Sequence, residues 1–214
     1  MIVDITLAKK KKRAKALVSA LAKLIPEPKI ALKYKNNWEL LVSVILSAQC
    51  TDKKVNEVTA ELFKKFRTLE DYVSASQEEF EKDIRPTGFY RNKTKNILAA
   101  AKKIKEKFGG KLPKTMDEML TIHGVARKTA NVVLGNAYGI VEGIAVDTHV
   151  IRLSRRFGLT KEKDPVKIER DLMACVPKKD WFVFTYLLIE YGRHHCSART
   201  CPPDHPLNRF DVES

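Results

Sequence analysis

The chain has 214 residues, 44% of them apolar, and carries 40 Lys and Arg against 26 Asp and Glu, a formal charge of +14. That length and apolar share argue for one large or two small domains with real cores, and no apolar run reaches the ~18 residues of a membrane span. The charge points to a polyanionic partner, nucleic acid before a membrane surface, because basic groups gain affinity by releasing phosphate counterions.

Helical periodicity dominates from the start. Leu17, Leu21 and Leu24 form the stripe of an N-terminal helix ending near Pro26, and the mostly apolar Trp38–Ala48 reads as a buried helix. Thr51 or Asp52 can cap the next helix, where Val55, Val58, Leu62, Phe63 and Phe66 share one face and Lys53, Lys54, Lys64 and Lys65 stay in water. Short helices follow at Leu69–Ala75 and Gln77–Ile84, then a turn at Pro86-Thr87-Gly88. Lys93–Phe108 is amphipathic, and Gly109-Gly110 stops it. The predicted fold class is all-α. From Ser197 onward the chain is rich in Pro and polar residues and reads as irregular.

Met116 to Ala137 is the most informative segment. A short helix with Met116, Met119 and Leu120 is followed by a tight turn, His123-Gly124-Val125-Ala126, and a second helix from Arg127. Such a turn can aim backbone N–H groups at a phosphate, and the second helix adds its positive end. This grip holds DNA without reading bases. Lys128 sits in the first turn of the second helix, where the positive end disfavours an ammonium ion. A neutral amine is what Schiff-base chemistry requires, and a plain phosphate contact is the alternative. His123 either meets phosphate or is an ordinary surface histidine. In Ala145-Val146-Asp147-Thr148-His149, Asp147 is placed to cap a helix running to about Phe157, whose Arg152, Arg155 and Arg156 form a basic face. A carboxylate at a DNA-facing helix start can also stabilise a cationic sugar or activate an attacking group.

These residues resemble the endonuclease III family of DNA glycosylases. Ile122-His123-Gly124-Val125-Ala126-Arg127-Lys128-Thr129-Ala130 is similar to the family's Leu-Pro-Gly-Val-Gly-Arg-Lys-Thr-Ala, and Val146–His149 to its Val-Asp-Thr-His. Leu46-Ser47-Ala48-Gln49-Cys50-Thr51-Asp52 and Gly88-Phe89-Tyr90-Arg91-Asn92-Lys93 match two upstream blocks in the family's order. The resemblance implies two helical domains with a DNA-binding cleft between them. One would be a six-helix barrel over 30–140 that includes the helix-hairpin-helix at about 116–137. The other would be discontinuous, 1–29 plus 141–214. The resemblance also implies roles: Lys128 as the nucleophile at C1′, Asp147 as the essential carboxylate, Gln49 as the residue filling the gap left by a flipped nucleotide, and Phe89 as an apolar wedge. For Phe89 a core aromatic is the alternative, and for Gln49 an ordinary helix-end residue. His123, Gly124, Val125, Ala126, Arg127, Thr129 and His149 complete the expected DNA-binding set. The implied activity is that of a DNA glycosylase and AP lyase removing oxidised pyrimidines from double-stranded DNA. A T·G mismatch glycosylase and a non-catalytic hairpin module are the alternatives.

Two departures from the family pattern stand out. His123 and Ala126 replace Pro and Gly, so a retained but slightly altered phosphate contact is expected. The family's [4Fe–4S] ligands follow Cys-x6-Cys-x2-Cys-x5-Cys. Cys196 aligns with the first, but Pro203, Pro206 and Val212 occupy the other positions and Cys201 falls two early. No cluster and no other cofactor are therefore expected, and the tail is expected to pack by prolines and side-chain contacts. A zinc site on Cys196, Cys201 and one of His194, His195 or His205 is the alternative. Four cysteines in a chain read as intracellular do not suggest a disulfide scaffold. The expected protein is a monomer, cytoplasmic and associated with the nucleoid, with no metal in its active site.

Overall fold

A computed structural model describes residues 6–212, and among them the regular structure is entirely helical. The α-helices are α1 (Leu7–Leu24), α2 (Asn37–Leu46), α3 (Asp52–Lys65), α4 (Leu69–Val73), α5 (Gln77–Ile84), α6 (Tyr90–Phe108), α7 (Met116–Leu120), α8 (Arg127–Tyr138), α9 (Thr148–Arg156), α10 (Pro165–Cys175) and α11 (Trp181–His194). The chain divides into two compact units. One takes in the chain to Ile30 and again from Val141, and the other is Ala31–Ile140.

In the Ala31–Ile140 unit, α2 is the central helix, its residues 39–46 all buried. It packs on α3, α6 and α8. Asn36 starts it by accepting the Glu39 amide at 2.9 Å, and Glu39 in turn accepts the Lys35 amide at 2.6 Å. The first bond satisfies a donor that the helix start leaves orphaned, and the second ties the residue before the cap to the first turn. Thr51, rather than Asp52, caps α3. Trp38, Phe66, Tyr72 and Phe80 stack edge-on or tilted beside α4 and α5. α6 begins three residues earlier than periodicity suggests, so that Lys93 falls inside its first turn and is buried.

In the other unit, α1 lies against α10 and α11, and α11 against α9. Ala14, Leu17 and Leu21 are fully buried among Phe157, Leu172, Phe184 and Leu187. Leu24, expected on the same stripe, is exposed at the last position of the helix. The tail is not irregular throughout. A 3-10 turn at Asn208–Phe210 buries Phe210 and Leu207, and Arg13 donates to the Phe210 carbonyl at 2.8 Å.

Candidate functional site

The hairpin consists of α7, a turn and α8. Thr115 caps α7 by accepting the Glu118 amide, and Val125 donates to the Ile122 carbonyl at 3.1 Å to close the turn. Gly124 has φ +77, a region that favours glycine. A Cβ there would also lie 2.8 Å from Cβ of Asn96 on α6. Both constraints demand glycine. Ala126, by contrast, is the N-cap of α8 with φ −92 and ψ 172, an ordinary extended backbone. Alanine therefore stands without strain where the resembling motif has its second glycine. It contributes no side-chain cap, so it leaves the first-turn amides of α8 to other acceptors. His123, Gly124 and Ala126 are exposed, Val125 is buried and acts through its backbone, and Arg127, Lys128 and Thr129 are half-buried around the first turn.

Asp147 lies at the start of α9 in the other unit. Its Oδ1 accepts the Val150 amide at 2.8 Å, which fixes the carboxylate on the helix axis. His149 is half-buried beside α11, its Nδ1 buried without a hydrogen-bond partner. Burial pushes its imidazole below the ordinary value, Asp147 opposes this, and Arg152 and Arg193 reinforce it. Gly192 of α11 makes room for that ring: a Cβ at 192 would sit 2.3 Å from His149 Nδ1. Sequence reasoning missed this contact, although the glycine interrupting an apolar helix was a visible signal.

Gln49 and Phe89 are the two non-glycine residues with positive φ among the described residues, at 53 and 47. Each such conformation costs about 1–3 kcal/mol and persists where surrounding structure over-determines it. Phe89 is 66% exposed, which disposes of the core-aromatic alternative. Gln49 is exposed as well.

The expected basic face of α9 needs correction. Arg155 is exposed, but Arg152 donates to the Cys196 carbonyl at 2.7 Å and Arg156 to Asp211 at 2.6 Å. Two of the three arginines thus tie down the tail. Burial acts to raise the Asp211 carboxyl, but its hydrogen bonds to Arg156 and His205 hold it below the ordinary carboxylate value. His205 is buried between the Tyr191 hydroxyl at 2.6 Å and Asp211 at 3.0 Å.

Cys196 and Cys201 are joined in a disulfide that the cysteine count did not suggest. The turn between them explains it. Ser197 donates its amide to the Thr200 carbonyl and accepts the Thr200 amide on Oγ, bringing the two cysteine Cα atoms to 4.2 Å. The ligand atoms of Cys196, Cys201 and His205 all lie within 4.8 Å of one another, so a metal ion could be held there in the reduced chain. The tail itself supplies two thiols, Cys196 and Cys201, and the Cys175 thiol donates to the Leu172 carbonyl within α10.

Residues 42–178 match the profile of the HhH-GPD superfamily base excision DNA repair protein. Endonuclease III of Synechocystis sp. is 50% identical over 193 residues, covering 90% of this chain and 88% of the relative. Endonuclease III of Bacillus subtilis is 48% identical, covering 83% of this chain and 81% of the relative. The chain belongs to the endonuclease III family. It is a base-excision repair enzyme, a DNA glycosylase with AP-lyase activity. A solved endonuclease III in a non-covalent DNA complex superposes with TM-score 0.90 at 41% identity, covering 94% of each chain. A trapped covalent endonuclease III–DNA intermediate matches with the same TM-score and identity. A thermostable thymine-DNA glycosylase, at 22% identity and TM-score 0.77, shares the fold. No helix among the described residues is long and apolar enough to cross a membrane.

Proposed function

We propose that this enzyme excises oxidised or ring-saturated pyrimidines from duplex DNA with Lys128 as nucleophile and Asp147 as its carboxylate partner. The observation that carries the reading is the hairpin: a turn whose Gly124 cannot be replaced, an α8 start with no side-chain cap, and Lys128 in the first turn after it. Backbone amides at such a start bind phosphate, and the helix dipole adds to the attraction. The turn 123–126, with Arg127 and Thr129, then holds the backbone beside the lesion, and His149 lies next to the acting carboxylate. The solved endonuclease III–DNA complexes support duplex DNA as the partner.

Extruding a base costs a few kcal/mol of unstacking, which side chains entering the stack offset. Exposed Phe89 and Gln49 serve as wedge and plug. The lone pair of Lys128 Nζ attacks C1′, the glycosidic bond breaks, and its electron pair leaves with the base, which takes up a proton. Asp147 stabilises the positive charge developing on the sugar. The adduct passes an Nζ proton to O4′ as the C1′–O4′ bond breaks, leaving an imine on Lys128. A C2′ proton is lost to solvent, the 3′-phosphate departs with the C3′–O electron pair, and water then hydrolyses the imine to free the lysine. No step draws on the Cys196–Cys201 region, and the enzyme acts as a monomer in the nucleoid.

A panel of duplexes carrying thymine glycol, a T·G mismatch or A·8-oxoguanine tests the substrate class. Strand cleavage at thymine glycol is the expected result. Excision confined to T·G would overturn it.

A further inference from the structure

Lys93 is a buried lysine, 4% exposed, in the first turn of α6. Its ammonium group donates to the Leu46 carbonyl and to the Thr87 carbonyl, each at 2.8 Å. Burial pushes it below the ordinary lysine value. Leu46 is the last residue of α2, and Thr87 the last residue of the 3-10 turn Arg85–Thr87. Carbonyls at helix ends have no partner within the helix and carry partial negative charge, so one ammonium group caps two helix termini at once. Three residues after Leu46 comes Gln49, and two after Thr87 comes Phe89, the pair held at positive φ.

We propose that Lys93 is a positioning residue for base extrusion, locking the Gln49 and Phe89 loops to each other so that plug and wedge stand at a fixed spacing before DNA arrives. The inference rests on the roles given above to Gln49 and Phe89. The loops lie far apart in sequence, and each presents an exposed side chain, Gln49 or Phe89, at a positive φ that a free loop would not hold. Without a shared anchor, each would have to be ordered at the moment of binding, at the expense of transition-state stabilisation. A lysine suits the task because its three donors let one group on a flexible stem reach both carbonyls. A methionine of similar length fills the same space but leaves both carbonyls unpaired in a buried site.

The test compares Lys93→Met, Gln49→Ala, Phe89→Ala and the double variants Lys93→Met/Phe89→Ala and Lys93→Met/Gln49→Ala. Each is assayed on a thymine glycol duplex, which requires extrusion, and on a single-stranded oligonucleotide with a preformed abasic site, which does not. Lys93→Met is expected to lower kcat/KM on the duplex by roughly 10–100-fold, the range for misplaced positioning groups, and to fall much less on the single strand. Adding it to Phe89→Ala or Gln49→Ala should cost little more, because residues acting through one another are non-additive. Equal losses on both substrates, with additive doubles, would overturn the inference and leave Lys93 a general stabiliser. Silent Gln49→Ala and Phe89→Ala would instead bring down the plug-and-wedge reading itself, and the inference with it. Should Lys93→Met not fold, amide exchange in the wild type decides. The amides of Ala48, Cys50 and Gly88 are expected to be protected in the free protein, and protection appearing only with an abasic-analogue duplex would overturn the proposal.

Discussion

The Asp147 carboxylate accepts the Val150 amide at 2.8 Å, so the residue assigned to the chemistry is also the one that starts α9. The two roles separate by substitution. Asp147→Asn keeps a side-chain oxygen that caps well, and so should hold the thermal midpoint near wild type while strand cleavage at thymine glycol collapses. Asp147→Ala removes the cap too and should lose a further ~1 kcal/mol of stability. Thermal unfolding alongside turnover makes the comparison. If Asp147→Asn retained full turnover, the residue would be a cap and nothing more.

On the proposed reading, the uncapped start of α8 leaves its amides to a DNA phosphate. Ala126 supplies no cap. Ala126→Asp should stabilise the protein by about 1 kcal/mol through a new cap and weaken affinity for duplex DNA, because the new carboxylate takes the amides and repels the phosphate. Gly124→Ala should be worse for both, since φ is +77 and its Cβ would press on Asn96 at 2.8 Å. Denaturant melts and salt-dependent binding curves distinguish the two outcomes.

Gly192→Ala would place a Cβ 2.3 Å from His149 Nδ1. Overpacking of this kind costs about 1–3 kcal/mol, and relief requires the His149 ring to swing away from α11 or α9, which carries Asp147 at its start, to shift with it. The expected result is a lower thermal midpoint together with a lower kcat on lesion DNA. A variant with unchanged kcat would show that the α9 start is indifferent to this contact.

Asp211 supplies a pH-dependent part of stability. Its carboxyl is held below its ordinary value of 3.8 in the folded chain, so its contribution is present above that pH and is lost as pH falls through the folded value. Asp211→Asn should lose about 1.5–3 kcal/mol near neutral pH, the range for hydrogen bonds to charged groups. The gap to wild type should shrink below pH ~4. Urea unfolding across pH tests this. A gap that persists in acid would mean that packing, rather than charge, accounts for it.

Much of this was legible in the residues because the signals were local. Caps at Thr51 and Asp147, glycine at 124 and the apolar run of α2 each follow from a few neighbouring side chains. What escaped was long-range. Lys93 appeared as part of a short motif, but nothing in its neighbours says that its ammonium reaches a carbonyl 47 residues away. Arg152 and Arg156 read, with Arg155, as a basic face, and only the folded tail shows the two of them engaged by Cys196 and Asp211. The tail itself read as irregular because prolines and polar residues conceal the burial of His205 and Phe210. The bridge between Cys196 and Cys201 depends on a Ser197–Thr200 turn that the cysteine count does not reveal.

The account rests on an amine at position 128 bonding to the sugar of the damaged nucleoside. Borohydride reduction during turnover on a thymine glycol duplex, followed by peptide mapping, tests that bond directly. The predicted result is a stable one-to-one protein–DNA adduct whose modified residue is Lys128, absent from Lys128→Ala. An adduct formed undiminished by Lys128→Ala, or no adduct from an active wild-type enzyme, would contradict it.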